Sequence, residues 1–494
     1  MTLAANYILI FLAILLFLHV FWIIFLKIQS KRVAEKSDQS IQTDYLIVYA
    51  TQSGNASILA QQTARKLSLH LHKVQVMDIQ NIQIEHMQNT QNILWFVSTY
   101  GEGDAPDSAR HFLDKIMSQS IDLSNQKFAV MALGDRHYEN FCEFGKTLNQ
   151  WLQLSLAQPL FDMVCVDQLN EKDLKLWNTQ FEQISSISFA EDLVVPTRPW
   201  FKLTLLEREH LNLGSQGNPL YRIRLSSNEQ LSWKSGDIVE VLCANSLERI
   251  TQFIGRFSFE INDEYLDRLK YKNLIKLPQR FDTEENLEWI SRFENLPFRE
   301  YSVASIVQQG YIELVVRQSI VNGELGLGSG WLTEHSDLNG EIQARIRTNS
   351  AFHLIENETP SIFIGNGSGI AGLMSHLHQR EKLNHAQNWL IFGERQKEFD
   401  SLFNVQIEEW KFKGILSKVD LVFSRDGNAQ KYVKDCLVDE AEQLKIWVEK
   451  GAAIYVCGSL NSMAKDVDET LHKILGRDVM SALIQEKRYL RDVY

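Results

Sequence analysis

Three short segments carry residue types that suit a phosphate and a flat ring. Thr51-Gln52-Ser53-Gly54-Asn55-Ala56 follows the strand-like run Tyr45 to Ala50 and precedes a helical stretch. Hydroxyls and backbone N–H groups at a helix N-terminus favour a phosphate, although the same residues also serve as an ordinary helix cap. Ser98-Thr99-Tyr100-Gly101-Glu102-Gly103-Asp104 and Gly134-Asp135-Arg136-His137-Tyr138-Glu139-Asn140-Phe141 end two further apolar runs. Each brings an aromatic, Tyr100 and Tyr138, able to flank a planar ring.

A second set lies downstream. Arg299, Tyr301 and Ser302 are read as sharing one strand face, for pyrophosphate, ring and ring-edge contacts. Gly326-Leu327-Gly328-Ser329-Gly330 supplies backbone N–H groups. Gly365-Asn366-Gly367-Ser368-Gly369 follows a strand-like run as a tight turn that lets backbone approach a pyrophosphate ahead of a helix. Ser424 and Arg425, with Lys431 and Tyr432 downstream, pair a hydroxyl with a guanidinium, which suits a 2′-phosphate and so NADPH over NADH.

The elements needed to position these groups are legible in the periodicity. From Asp44, apolar runs (YLIVYA, KVQVMD, NILWFVS, KFAVMAL) alternate with helical stretches, the pattern of a doubly wound parallel sheet. Such sheets bind ligands at the C-terminal ends of their strands, where the three loops fall. After Val194 to Pro199 the texture turns to short β runs, suggesting a barrel interrupted by a helix-rich insertion over 246–297. From Thr359 the β/α alternation returns. The expected organisation is an anchor over 1–28, a tether over 29–43, a first domain over 44–187, a barrel over 196–357 and a last domain over 358–494.

Ala4 to Leu26 is a run of 23 residues without a charged side chain, long enough to span a bilayer as a helix. Lys27, Lys31, Arg32 and Lys36 crowd its C-terminal side, which predicts a single-pass anchor with the remaining chain cytoplasmic. The 494 residues carry 50 Lys+Arg against 62 Asp+Glu, a net charge of −12, and no basic block, so no nucleic-acid partner is expected. The five cysteines are widely spaced without a C-x-x-C pair, which predicts a reducing compartment and no metal site.

The segments YATQSGNAS, STYGEGDAPDSA and ALGDRHYENFCEFG resemble the FMN-binding loops of the flavodoxin-like domain in diflavin reductases. The R-x-Y-S segment from Arg299 and the glycine-rich segment from Gly326 resemble motifs of a ferredoxin-reductase-like FAD domain. The stretch around Val315 looks closest to the sulfite reductase flavoprotein branch. Ala453 to Gly458 and Met463 to Val467 are similar to the family's last nucleotide-domain motif. The chain departs from the pattern at Asn366, where Pro is commoner, and at Lys431, one position from the usual spacing.

The resemblance implies a flavodoxin-like domain, an FAD barrel with a short insertion and an NADP-binding α/β domain, with FMN, FAD and NADPH as cofactors. It places Thr51 to Ala56, Ser98 to Gly101, Gly103, Gly134, Asp135, Tyr138 and Phe141 around FMN. Arg299, Tyr301, Ser302, Val315, Gly326, Gly328 and Ser329 fall to FAD. Gly367, Ser368, Gly369, Ser424, Arg425, Lys431 and Tyr432 fall to NADPH. Ser302, Cys457 and Asp492 correspond to the polar group at the hydride-transfer site, and Tyr494 to the aromatic that stacks on FAD and gives way to nicotinamide.

The implied activity resembles that of the NADPH-hemoprotein reductases, with electrons leaving singly to an acceptor protein. A heme protein, a siroheme sulfite reductase partner and a ferric-siderophore or iron-reduction system stay open as acceptors. A membrane-tethered flavin sensor without turnover is the competitor from another class. Residues 44–187 hold 16 acidic against 10 basic side chains, a field that steers a basic partner.

Overall fold

The computed structural model describes residues 43–100, 103–136, 138–185, 192–196, 198–321, 323–427 and 432–494. The predicted anchor and the predicted tether up to residue 42, together with Gly101 and Lys431, lie outside the described residues. Among the described residues no helix is long and apolar enough to cross a membrane.

The first unit is a six-stranded parallel sheet of β1 (Tyr45–Ala50), β2 (Val74–Asp78), β3 (Asn92–Ser98), β4 (Lys127–Gly134), β5 (Gln158–Pro159) and β6 (Val164–Asp167). Its order is β2-β1-β3-β4, with β5 and β6 both on β4. β3 is an almost unbroken apolar run, NILWFVS, because helices cover both faces of the sheet and leave no solvent side. α1 (Asn55–Leu69) packs Leu59, Ala60 and Leu67 on one face, and α2 (Glu143–Leu154) packs Phe144, Leu148 and Leu152 on the other. Chain order reverses between β1 and β3, so the loops after them open a crevice between them.

The second unit is an antiparallel sheet of β7 (Phe201–His210), β8 (Leu220–Ser227), β9 (Ile238–Leu242), β10 (Phe298–Ser302) and β11 (Ile312–Arg317). A hairpin, β12 (Ile320–Val321) with β13 (Glu324–Leu325), precedes the sixth strand of that sheet, β14 (Glu341–Arg347). The order is β10-β9-β14-β7-β8-β11. Residues between β9 and β10 form three short helices around their own core of Phe253, Trp289, Ile290 and Phe293.

The third unit is a parallel sheet of β15 (Ser361–Asn366), β16 (Asn388–Glu394), β17 (Leu416–Phe423), β18 (Ala453–Gly458) and β19 (Tyr489–Val493), ordered β17-β16-β15-β18-β19. α3 (Ile370–Lys382) follows β15, and α4 (Lys465–Leu475) follows β18.

The first and third units are joined by charge. Arg110 grips Asp468 with both terminal nitrogens, at 2.8 and 2.5 Å, while Tyr489 Oη donates to the same carboxylate at 2.9 Å. Arg491 pairs with Asp107. These contacts turn the loops of the first sheet toward the β10 and β19 ends of the other two units.

Candidate functional site

At the first sheet, Thr51 Oγ1 accepts a hydrogen bond from the Gly54 amide at 2.9 Å, the turn that starts α1. Ser98 Oγ donates to the Ala50 carbonyl at 3.2 Å and fastens the ends of β1 and β3 together. Gln52, Ser53, Asn55, Ser98, Thr99, Tyr100, Gly134, Asp135, Tyr138 and Phe141 line one cleft of about 620 Å³. Thr51, Gly54, Ala56 and Gly103 are not on its wall. Ala56 is buried in the sheet–helix core, so its side chain packs and does not bind.

The same cleft continues onto the second unit, reaching Arg299, Tyr301, Ser302, Asp492 and Tyr494. The expectation that Arg299, Tyr301 and Ser302 share one face is corrected here. Residues 301 and 302 are adjacent in a strand, and successive side chains point to opposite faces. A Cβ on Gly328 would meet Arg299 Cγ at 2.5 Å and Tyr301 Oη at 2.7 Å, so those two side chains lean on the glycine-rich turn. Ser302 points the other way and donates to Asp492 Oδ2 at 2.6 Å, with Cys457 Sγ 3.8 Å from the same oxygen. β18 pairs with β19 so that Cys457 faces Asp492 directly.

Val315 and the glycine-rich segment of Gly326, Gly328 and Ser329 stay off the cleft wall. Val315 is buried among Leu220, Ala304 and Phe352. Ser329 Oγ bonds Ser319 N at 3.1 Å and the Gly326 carbonyl at 3.3 Å, which holds the turn.

Sequence reading missed a buried charged group on the Ser302 face. Arg347, 2% exposed, holds both Glu300 oxygens at 2.9 Å. Glu240, 1% exposed, pairs with Arg198 at 2.8 Å and with Arg345. The Nη1 atoms of Arg198 and Arg347 are buried without a hydrogen-bond partner among the described residues, though both side chains line the cleft. Unpaired guanidinium nitrogens at a cleft wall fit a ligand edge rich in acceptors. The register offered one signal: Glu300 and Ser302 are two apart, and Arg345 and Arg347 repeat that spacing on a strand that shares β9 as neighbour.

Burial pushes the Asp492 carboxyl up, while the Ser302 hydrogen bond and the Arg347 charge pull it back down. An acid limb in any rate that depends on the Asp492 carboxylate is therefore expected above the usual aspartate value of about 4. Arg347→Met removes a lowering influence, so its limb moves to higher pH. Stopped-flow reduction rates between pH 5 and 9 read the shift, and coincident limbs in the two proteins count against the linkage.

The second cleft, about 610 Å³, lies across the third sheet where its order reverses between β15 and β18. Gly367, Ser368, Ser424 and Tyr432 line it, as do Arg317, Arg395 and Lys434, which were not anticipated. A Cβ on Gly369 would collide with the Cys457 carbonyl, so only glycine lets the turn press this closely on β18. Arg425 is exposed and off the wall. Its amide donates to the Arg395 carbonyl at 2.7 Å, and the guanidinium on the cleft wall belongs to Arg395. Lys434 reaches the wall two residues after Tyr432, held to Asp466 at 2.9 Å.

Tyr494 lines both clefts. Its hydroxyl donates to Ser368 Oγ at 3.0 Å, and its side chain is half exposed.

Residues 47–177 match the flavodoxin family model, and residues 363–469 match that of the oxidoreductase NAD-binding domain. The chain is similar to sulfite reductase (NADPH) flavoprotein alpha-components from three bacteria. The Vibrio vulnificus protein is 25% identical, across 91% of this chain and 87% of the relative. That of Bacillus subtilis is 24% identical, across 93% and 91%. For Yersinia enterocolitica the figures are 26%, 91% and 89%. The aligned 538 positions with the Vibrio relative exceed the length of this chain, so the relative carries segments with no counterpart here.

Proposed function

The chain belongs to the diflavin reductase family, with FMN, FAD and NADPH as its cofactors, and from that premise we propose a membrane-anchored reductase that passes electrons from NADPH through FAD and FMN to a one-electron acceptor protein. When bound, the nicotinamide and flavins supply the hydride and single-electron chemistry. The chain's own residues bind, orient and shield.

The observation that carries this reading is the meeting of the two clefts at Tyr494, beside the Ser302–Asp492–Cys457 cluster. A sensor needs a binding pocket but no continuous path from a dinucleotide cleft, past a buried polar cluster, to a second set of flavin loops. The Ala4 to Leu26 run supports the anchor and an acceptor at the membrane surface, with a heme protein as the preferred class. The names of the relatives favour a second reading, in which the acceptor is a sulfite-reducing hemoprotein.

The test uses the full chain in detergent micelles. One FAD and one FMN per chain are expected on release, both reduced in an anaerobic NADPH titration. A single flavin, or two that NADPH leaves oxidised, sinks the relay. Sulfite-dependent NADPH oxidation on adding a siroheme subunit decides for the second reading.

A further inference from the structure

The fold brings together two cysteines that the relay does not use. Cys142 is buried at the start of α2, and its Sγ donates to the Ala132 carbonyl at 3.3 Å. Cys165, half-buried, lies on β6, where the parallel ladder sets it beside Ala132. Partnered residues in a parallel ladder point to the same side of the sheet. Ala132 points at α2, because a Cβ on Gly145 of that helix would overlap the Ala132 Cβ. Cys165 therefore points toward α2 as well, and it packs against the core that contains Cys142 and Ala132.

The neighbouring Cys142 thiol pulls the Cys165 thiol down and Cys142 itself is pushed up; Lys146 and Arg136 add to the pull on Cys165. The other cysteines differ. Cys243 and Cys436 are buried and pushed up to about 12 by desolvation, which keeps them thiols and slow to oxidise.

We propose that Cys142 and Cys165 form a peroxide-oxidised dithiol site that clamps the segment 138–141, which carries Tyr138 and Phe141 of the first cleft, to β6. The Cys165 thiolate attacks one oxygen of hydrogen peroxide, the O–O bond breaks, and a sulfenic acid and hydroxide result, the latter taking a proton to become water. Cys142 then attacks the Cys165 sulfur, expelling a second water as the S–S bond forms. Two thiols are oxidised and one peroxide is reduced to two waters. Since Cys142 directly follows that segment, the disulfide fastens it to β6 beside the first cleft.

The experiment treats the full-length, reduced holoprotein with hydrogen peroxide at pH 7.5. Free thiols are blocked with a maleimide, and unreduced peptides are mapped by mass. A Cys142–Cys165 cross-link is expected to form at least tenfold faster than any oxidation at Cys243 or Cys436. In Cys142→Ser, Cys165 should be captured by dimedone as a sulfenic acid. Failure of the cross-link to form while Cys165 remains open to maleimide overturns the site, and this reading needs no variant to fold. FMN should leave the cross-linked protein at least threefold more slowly; equal release rates overturn the clamp.

Discussion

Asp492→Ala slows NADPH-driven flavin reduction roughly a hundredfold, with little change in KM, because its loss falls on the reaction step and leaves the binding surface standing. Asp492 is 1% exposed and accepts from Ser302 at 2.6 Å, with Cys457 Sγ 3.8 Å away, so removing it leaves a hydroxyl and a thiol without their shared acceptor. The groups lining the second cleft (Ser424, Arg395, Lys434) are untouched. Binding energy alone therefore survives, which is the signature of an interaction realised in the transition state. Asp492→Asn keeps an acceptor for Ser302 without the charge and should fall between the two. Stopped-flow absorbance at saturating NADPH provides the measurement. A reduction rate for the alanine variant within threefold of the parent removes Asp492 from the hydride site.

Tyr494→Ala collapses the preference for NADPH over NADH, lowering the ratio of the two kcat/KM values by about a hundredfold. Tyr494 lies where the clefts meet, tied to Ser368. On the proposed reading, a nicotinamide reaching the Ser302–Asp492 cluster would have to displace it. NADPH would draw on a 2′-phosphate bound in the second cleft to drive that displacement, whereas NADH would have no such resource. Once the ring is gone the advantage shrinks. Steady-state kinetics with both dinucleotides test this, and an unchanged ratio rules out the gating role.

Much of this arrangement was legible in the sequence, for physical reasons. Strand-ending loops rich in Ser, Thr and Gly had to lie at one edge of a parallel sheet, and the structure puts Ser53, Ser98, Tyr100 and Tyr138 on one wall. Ser302, Cys457 and Asp492 are far apart in the chain, and only the resemblance joined them. Residue-type reading failed where polarity had two meanings. Arg345 and Arg347 look like the solvated side of an ordinary strand, yet Arg347 is buried and Arg345 pairs with the buried Glu240. Arg425 carries the expected charge but is exposed beside the second cleft, whose wall is lined by Arg395. The face of Ser302 was misjudged although alternation alone decides it.

The Arg110–Asp468 pair joins residues 358 positions apart, and Tyr489 leans on the same carboxylate. Both partners are largely withdrawn from water, at 26% and 10% side-chain exposure, so losing one strands the other. In evolutionary terms the contact would make the two positions one inherited character. Lineages that change either site are expected to change both, and a chimera that exchanges the first unit between distant relatives would inherit a mismatched seam even with every cofactor loop intact.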